Sequence, residues 1–164
     1  MWDEDEGVED RLTRGFLAYR VERVHSRLTA QATKILAREC GLTPRQWWII
    51  ADMMAERPRT STDLARIAEI DKGLLSRNLK ALADKGLVTL ERDLNDRRQQ
   101  IISLTEQGRE IHAETIPVMK ARNDALTRDM SEGEIKLLLD LLDKVEAAAG
   151  DTSFGTKPLR ATPN

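Results

Sequence analysis

Two arginines, Arg97 and Arg98, lie in a charged run that separates two short apolar segments. The segments 87–90 and 101–104 have the apolar, β-branched composition of strands. Because five of the six residues 93–98 are charged or turn-forming, the run is unsuited to a core, and we predict a β-hairpin with both arginines at its tip. A hairpin tip of this kind can enter a narrow groove lined with phosphates.

The segment 71–85, just before the hairpin, is predicted to be a helix with a polar outer face. Its inward leucines, at helical spacing, are Leu74, Leu75, Leu79 and Leu82. The outward arc then consists of Lys72, Gly73, Ser76, Arg77 and Lys80. Arg77 can donate two hydrogen bonds to a guanine edge, which contributes about 1–3 kcal/mol of discrimination between base pairs. Ser76 can donate to a base or a phosphate, whereas Lys72 and Lys80 suit phosphates, which carry no sequence information.

Capping residues indicate a shorter helix before this one. Thr60 with Asp63 resembles a capping box at the start of this shorter helix. Asp71 caps the helix 71–85, and Gly86 ends it. The free N–H groups beside Ser61 suit a phosphate, although the residues here are equally well explained as plain caps. Helix, helix and charged hairpin, in that order, are typical of a winged helix-turn-helix DNA reader.

Longer helices are predicted on both sides of this segment. The first covers about 10–39 with two apolar faces, of which one suits its own domain and the other a partner subunit. Gly41 ends it. Thr43 and Pro44 begin the next helix, whose apolar face includes Trp47, Ile50 and Met54.

The C-terminal half is predicted to be helical as well. Thr105 begins a helix over about 106–130 with a bend at Pro117, and Ser131 begins a last helix to about 149 through a capping box. The fold class is therefore mainly α with a small β-wing. We expect an acidic arm at 1–9, a winged helix-turn-helix domain at 42–104, dimerisation helices at 10–40 and 105–149, and a loose tail at 150–164.

Charge is distributed unevenly along the 164 residues. The net charge is only −2, but the first ten residues carry −6, and residues 57–98 carry +3. Acidic residues are thus concentrated at the start of the chain, and basic residues in the candidate DNA-reading segment. The chain contains no apolar run near the roughly 20 residues that span a bilayer, so we expect no membrane partner.

The sequence offers little support for an enzyme. It has no Gly-rich phosphate loop and no nucleophile and base at suggestive spacing, and His25 and His112 with one cysteine form no ligand cluster, so neither a cofactor nor a metal is expected. A single cysteine, Cys40, excludes an internal disulfide and favours a reducing cytoplasm. We interpret Cys40 as a packing residue rather than a redox sensor, because a helix C-terminus disfavours a thiolate.

The region from about Leu42 to Gly108 resembles the MarR family of bacterial transcriptional regulators. LTPRQWWII is similar to the family's second helix, STDLARIAEIDKGLLSRNLKALADKGLV to its helix-turn-helix, and DLNDRRQQIISLTEQG to its wing. The flanking helices extend the resemblance to about 10–149. One departure is Gly73 in the recognition helix, which costs about 1 kcal/mol of helix stability relative to alanine.

The resemblance implies roles for residues in the wing and in the outer helices. Arg98 would enter the minor groove, Asp96 would orient it, and Arg97 would contact phosphate or share the groove. The family is dimeric through its terminal helices, and the surplus apolar residues here that suit a homodimer are Leu12, Phe16, Ile111, Ile116, Leu138 and Leu142.

The family commonly binds small, often anionic aromatic effectors. Trp48 stands off its helix's main stripe and can line such a cleft with Tyr19, Arg20 or His25, or it can pack in the core with His25 at the surface. We therefore expect a cytoplasmic regulator that represses from a pseudo-palindromic operator on double-stranded DNA, as a homodimer released by an effector. The alternative is a winged-helix module that binds protein, which predicts an apolar outward arc on the helix 71–85.

Overall fold

A computed structural model of the chain describes residues 13–54, 59–67, 70–92 and 100–151. Several of the predicted features lie outside the described residues: the acidic arm, Leu12, the hairpin tip with Asp96, Arg97 and Arg98, and the tail beyond residue 151. The chain divides into two compact units, Met1–Val118 and Met119–Asn164.

The secondary structure is mostly helical. The helices are α1 (Leu17–Glu39), α2 (Pro44–Met53), α3 (Ser61–Ile67), α4 (Lys72–Asp84), α5 (Glu106–Thr127) and α6 (Glu132–Ala149). The strands are β1 (Arg59–Thr60), β2 (Val88–Arg92) and β3 (Gln100–Leu104). This confirms the predicted fold class, mainly α with a small β-wing.

The predicted caps form local hydrogen bonds that fix where the helices begin. Thr43 and Gln46 form a reciprocal capping box at α2, and Pro44 follows at the first helical position. Asp71 Oδ1 accepts from Leu74 N at 2.8 Å at the start of α4. These caps satisfy backbone donors that have no partner within the helix.

The first helix differs from its prediction at its start. Residues 13–15 are helical, but Phe16 has an extended backbone (φ −66°, ψ 136°), and α1 begins at Leu17. Gly15 precedes the break, and glycine costs about 1 kcal/mol in a helix interior relative to alanine. At the other end Gly41 has φ +65°, the left-handed conformation expected after a helix C-terminus.

The core of the first unit lies between α1, α2, α3, α4 and the sheet. Its most deeply buried side chains are Leu36, Ile49, Ile50, Leu64, Leu75, Leu82, Leu87 and Ile102. On α2 the buried methionine is Met53, whereas the predicted Met54 is the C-cap and only half-buried. Leu74 on α4 is also half-buried, while Leu75, Leu79 and Leu82 face inward as predicted.

The sheet contains a strand that the sequence pattern does not reveal. Its order is β1-β3-β2, and both pairings are antiparallel. β2 and β3 form the predicted hairpin, with Leu90 opposite Ile102, and the two-residue β1 pairs with the other edge of β3. A strand of two residues is too short to show alternation, so only the pairing itself identifies it.

The start of α5 packs closely against the hairpin. Thr105 Oγ1 accepts from Gly108 N at 3.1 Å and donates to the Gly86 carbonyl at 2.7 Å. A Cβ at Gly108 would collide with the Leu87 carbonyl oxygen and lie 2.7 Å from Leu104 Cδ1. Gly108 therefore permits a close contact between α5 and the hairpin that any side chain at this position would prevent. The helix continues through Pro117 and ends at Thr127, three residues before the predicted Met130.

The second unit contains α6, which begins at the predicted capping box of Ser131 and Glu134. Hydrogen bonds from Ser131 lower the pKa of the Glu134 carboxyl. None of the α6 side chains is fully buried, and its exposed leucines are Leu137, Leu138, Leu139, Leu141 and Leu142. No helix among the described residues is long and apolar enough to cross a membrane.

Candidate nucleic-acid interface

Helix α4 presents a polar face because its leucines are buried on the opposite side. Leu75, Leu79 and Leu82 are at most 2% exposed. The residues of the predicted outward arc are all exposed: Lys72, Gly73, Ser76, Arg77 and Lys80. The arc therefore offers donors and positive charge to a partner and no large apolar side chain.

Gly73 lies beside the capping carboxylate of Asp71 and the guanidinium of Arg77. A Cβ at Gly73 would lie 3.1 Å from Asp71 Oδ1 and 3.6 Å from Arg77 Nη1. The distance to the guanidinium is ordinary van der Waals contact, whereas the distance to the capping carboxylate is tight, so a side chain at this position would press on the Asp71 cap and not on Arg77. Backbone strain is not involved, since only Gly41 and Gly86 have positive φ among the described glycines.

Lys80 is engaged only weakly with its own helix. Its Nζ lies 3.4 Å from Asp84 Oδ2, and both side chains are largely exposed (78% and 66%). An exposed pair four residues apart contributes about 0.3–0.5 kcal/mol, so a phosphate can replace Asp84 at little cost.

A groove of about 190 Å³ opens beside the N-terminal half of α4. Its polar lining residues are Ser61, Lys72, Ser76 and Gln100, and its floor is Leu75 and Leu79. The groove brings together three predicted contact residues from α3 and α4. Gln100 was not among the predicted site residues, although period-two alternation from the buried Ile102 puts it on the same strand face.

Thr60 acts as a cap rather than as a free donor. Its Oγ1 donates to Asp63 Oδ2 at 2.8 Å and accepts from Asp63 N at 3.0 Å. The hydrogen bond from the Thr60 hydroxyl is the main reason that the pKa of the Asp63 carboxyl is lowered. Ser61, the next residue, lines the groove, whereas Thr60 does not.

An aromatic cluster joins α2 to α5 within the first unit. The buried indole Nε1 of Trp47 donates to Thr115 Oγ1 at 2.8 Å. The His112 ring stacks on Trp47 at 5.6 Å between centroids, and burial lowers the pKa of this imidazole. Trp48 contacts Trp47 edge to face at 4.8 Å and is itself 54% exposed.

The other predicted effector residues lie on α1. Tyr19 is half-buried, whereas Arg20 and His25 are exposed. Arg20 lines a groove of about 140 Å³ whose other lining residues are Arg23, Val24 and Arg27. Arg20 thus lies in a strongly basic setting.

The described residues proposed for dimerisation are mostly exposed in the single chain. Phe16, Ile116, Leu138 and Leu142 are 41–61% exposed, and Ile111 is half-buried. Cys40, by contrast, is half-buried, and its Sγ donates to the Leu36 carbonyl at 3.3 Å. Burial raises the pKa of this thiol. In the part of the chain that the structure describes, no cluster of His, Cys, Asp and Glu side chains suits a metal ion.

Comparison with known proteins finds similarity to one family over part of the chain. Residues 41–99 match the model of the MarR family. An uncharacterized HTH-type transcriptional regulator of Staphylococcus aureus is 34% identical over 67 residues, which are 41% of this chain and 46% of that protein. The chain thus spans about half the length of the curated relatives it matches.

Two solved structures are similar over most of the chain. The crystal structure of MarR is 27% identical with a TM-score of 0.66, and the match covers 79% of this chain and 97% of that one. The transcriptional repressor CouR, bound to a 23-mer DNA duplex, is also 27% identical, with a TM-score of 0.76 over 86% of this chain and 99% of that one. The fold is that of MarR-family transcriptional regulators.

Proposed function

We propose that this chain, a winged helix-turn-helix protein of the MarR type, is a transcriptional regulator that reads double-stranded DNA by sequence and has no enzymatic activity of its own. The observation that carries the proposal is the outward arc of α4, where Ser76 and Arg77 are exposed between two lysines. The alternative, a winged-helix module that binds protein, requires an apolar outward arc, and the arc of α4 carries no large apolar side chain.

Each residue of the interface has a distinct proposed role. Arg77 reads a guanine in the major groove, and Ser76 donates to a base or a phosphate. Gly73 leaves the Asp71 cap at the start of α4 unhindered. The phosphate contacts come from Ser61, Lys72 and Lys80, and we add Gln100, because it lines the groove that Ser61, Lys72 and Ser76 share.

The wing supplies the minor-groove contacts in this proposal. Arg98 enters the groove, Asp96 orients its guanidinium, and Arg97 contacts phosphate or shares the groove. These roles rest on the family resemblance, since the three residues lie outside the described part of the chain.

Replacement of Arg77 tests the proposal most directly. We expect Arg77→Ala to lower affinity for the preferred site by about 1–3 kcal/mol while affinity for random DNA falls much less. The reason is that a base contact discriminates between sequences, whereas a phosphate contact does not. Selection from a random duplex library, followed by competition binding at fixed salt, measures both quantities.

Two further variants make this experiment specific. Lys80→Ala should weaken all sequences alike and reduce the salt slope by about 1, because it removes a phosphate contact. Lys136→Ala on α6 removes an exposed lysine outside the interface and should change neither quantity. If the Arg77→Ala variant keeps the sequence preference of the wild type, the proposed role of Arg77 as a base-reading residue is contradicted.

A homodimer is the second part of the proposal. One recognition helix reads only a few base pairs, whereas two helices one DNA turn apart read a pseudo-palindromic operator. The exposed apolar residues on both units supply material for the contact, because leucines that are 43–57% exposed on α6 would otherwise face water. A dimer bound across a promoter blocks polymerase, and we propose repression as the mode of control.

We also propose that a small anionic aromatic compound releases the repressor. Trp48 provides an exposed aromatic face, and Arg20 on α1 provides positive charge, with Tyr19 and His25 on the same helix. The effector must bind the DNA-free conformation more tightly than the DNA-bound one.

Fluorescence provides the test of the effector proposal. We expect phenolic carboxylates to quench tryptophan emission and to weaken operator binding over the same concentration range. The Trp48→Phe variant retains Trp47 and Trp2, and it should lose most of the quenching. Quenching that persists in this variant, or no response across a broad panel, would contradict this site.

A further inference from the structure

Helix α1 carries three arginines on one face, and we call them the arginine row: Arg20, Arg23 and Arg27. At 100° per residue they fall within a sector of about 60°, because their spacings are three and four residues. All three are exposed, and together with Val24 they line the groove of about 140 Å³. Lys34 continues the row further along the helix.

The row has no counter-charge within the described residues. The ion pairs there involve other residues, and no carboxylate lies within ion-pair distance of the three arginines. Glu22, the acidic residue between Arg20 and Arg23, lies on the opposite side of the helix by its angular position. Arg23 Cζ lies 5.9 Å from the centre of the Tyr19 ring, a contact that supplies no negative charge to the row.

Like charges three and four residues apart destabilise a helix by about 0.2–0.5 kcal/mol per pair. A row of this kind therefore gains most from an anionic partner that spans several arginines at once. The same chain contains such a segment, since residues 3–10 hold six carboxylates and no basic residue.

We propose that the acidic segment 3–10 binds along the arginine row of the same chain. Its charge of −6 complements the three arginines, and the segment precedes α1 by only a few residues. An extended chain advances about 3.3 Å per residue, so the segment covers about 26 Å. The arginine row is only about 10 Å long at 1.5 Å per residue. Covalent attachment makes the effective concentration of the segment high, which favours it over free anions.

Binding of the segment shields a positively charged surface outside the interface of α4. Under the proposed DNA-binding function, on which this consequence alone rests, the segment keeps duplex phosphates off α1. Each phosphate contact that the row does not make lowers the salt slope of non-specific binding by about 0.9. Specific binding through α4 then gains relative to non-specific binding through α1.

Paramagnetic broadening tests the contact without DNA. A nitroxide on Gly7→Cys, in a Cys40→Ser background, should broaden the amide signals around residues 20–27. The broadening should disappear in high salt, because ion pairs at a surface are screened. It should also disappear when the arginine row is neutralised by Arg20→Gln, Arg23→Gln and Arg27→Gln.

The control is a triple variant with the same charge change elsewhere, Lys120→Gln, Lys136→Gln and Lys144→Gln, which should retain the broadening. Broadening that is absent, that survives neutralisation of the row, or that falls on α4 instead would overturn the proposal. If the protein with an intact arginine row shows the broadening but binds no operator, the contact between segment and row stands, and only the proposed DNA-binding function is contradicted.

Retention on heparin gives an independent measurement. Neutralising the six carboxylates of 3–10 should increase retention more strongly when the arginine row is intact than when it is neutralised. Equal increases in both backgrounds would indicate a general charge effect and would overturn the proposal. Operator affinity is measured in a double variant, Arg23→Gln with Arg27→Gln, which keeps Arg20 of the proposed effector site. A loss beyond that of Lys136→Gln with Lys144→Gln would assign the row to DNA and likewise overturn the proposal.

Discussion

Gly108→Ala is expected to destabilise the folded protein by about 2–3 kcal/mol, in the upper part of the range for overpacked sites. The added methyl group would collide with the Leu87 carbonyl oxygen and lie 2.7 Å from Leu104 Cδ1. Backbone on one side and a packed leucine on the other leave little room to relax. Urea unfolding at a fixed protein concentration measures the change, because the stability of an oligomer depends on concentration.

Gly133→Ala is the matched control, since Gly133 also lies in the first turn of a helix. No atom lies within 4 Å of a Cβ built there. Alanine should therefore stabilise by about 0.4–1 kcal/mol through its helix propensity and a more restricted unfolded chain. Equal effects of the two substitutions would contradict the close contact between α5 and the hairpin.

The second large effect is expected from the exposed leucines of α6. Leu138→Glu with Leu142→Glu should convert the proposed dimer into a monomer, because two carboxylates would have to be buried against an apolar surface. Loss of the second recognition helix removes the gain from bivalent binding, which is about 10²–10⁴ in affinity. Analytical ultracentrifugation and operator titration measure the two consequences.

A control variant with the same added charge shows whether the effect comes from the loss of the apolar surface or from the two added carboxylates. Ala147→Glu with Ala148→Glu introduces two carboxylates near the end of α6, where both alanines are exposed and follow the predicted apolar stripe. This variant should remain dimeric and bind its operator. Circular dichroism checks that the leucine variant keeps its helices, and a dimer that persists in that variant would contradict the interface.

The sequence predicts most strongly those features that are decided by neighbours in the chain. The caps at Thr43, Asp71 and Ser131 all form, because each needs only a side chain and an N–H group three residues away. Gly41 and Gly86 likewise have the positive φ that helix ends require.

Features that depend on distant contacts were not predicted. β1 is defined only by its pairing with β3, and Gln100 joins the candidate interface only because β3 brings it beside Ser61 and Lys72. The break at Phe16 was also unexpected, since the apolar spacing of α1 continues across it. The roles of the individual interface residues, including Asp96, Arg97 and Arg98, remain predictions.

The central position of β3 has a mechanical consequence. Both of its edges are paired, to β1 on one side and to β2 on the other, and α3 begins directly after β1. A displacement of the hairpin is therefore transmitted through two ladders of backbone hydrogen bonds to the first residues of α3 and hence to the rim of the groove beside α4. Side chains on the hairpin and on α4 are therefore mechanically coupled. The losses of binding free energy caused by substitutions in the two elements are then expected to be non-additive.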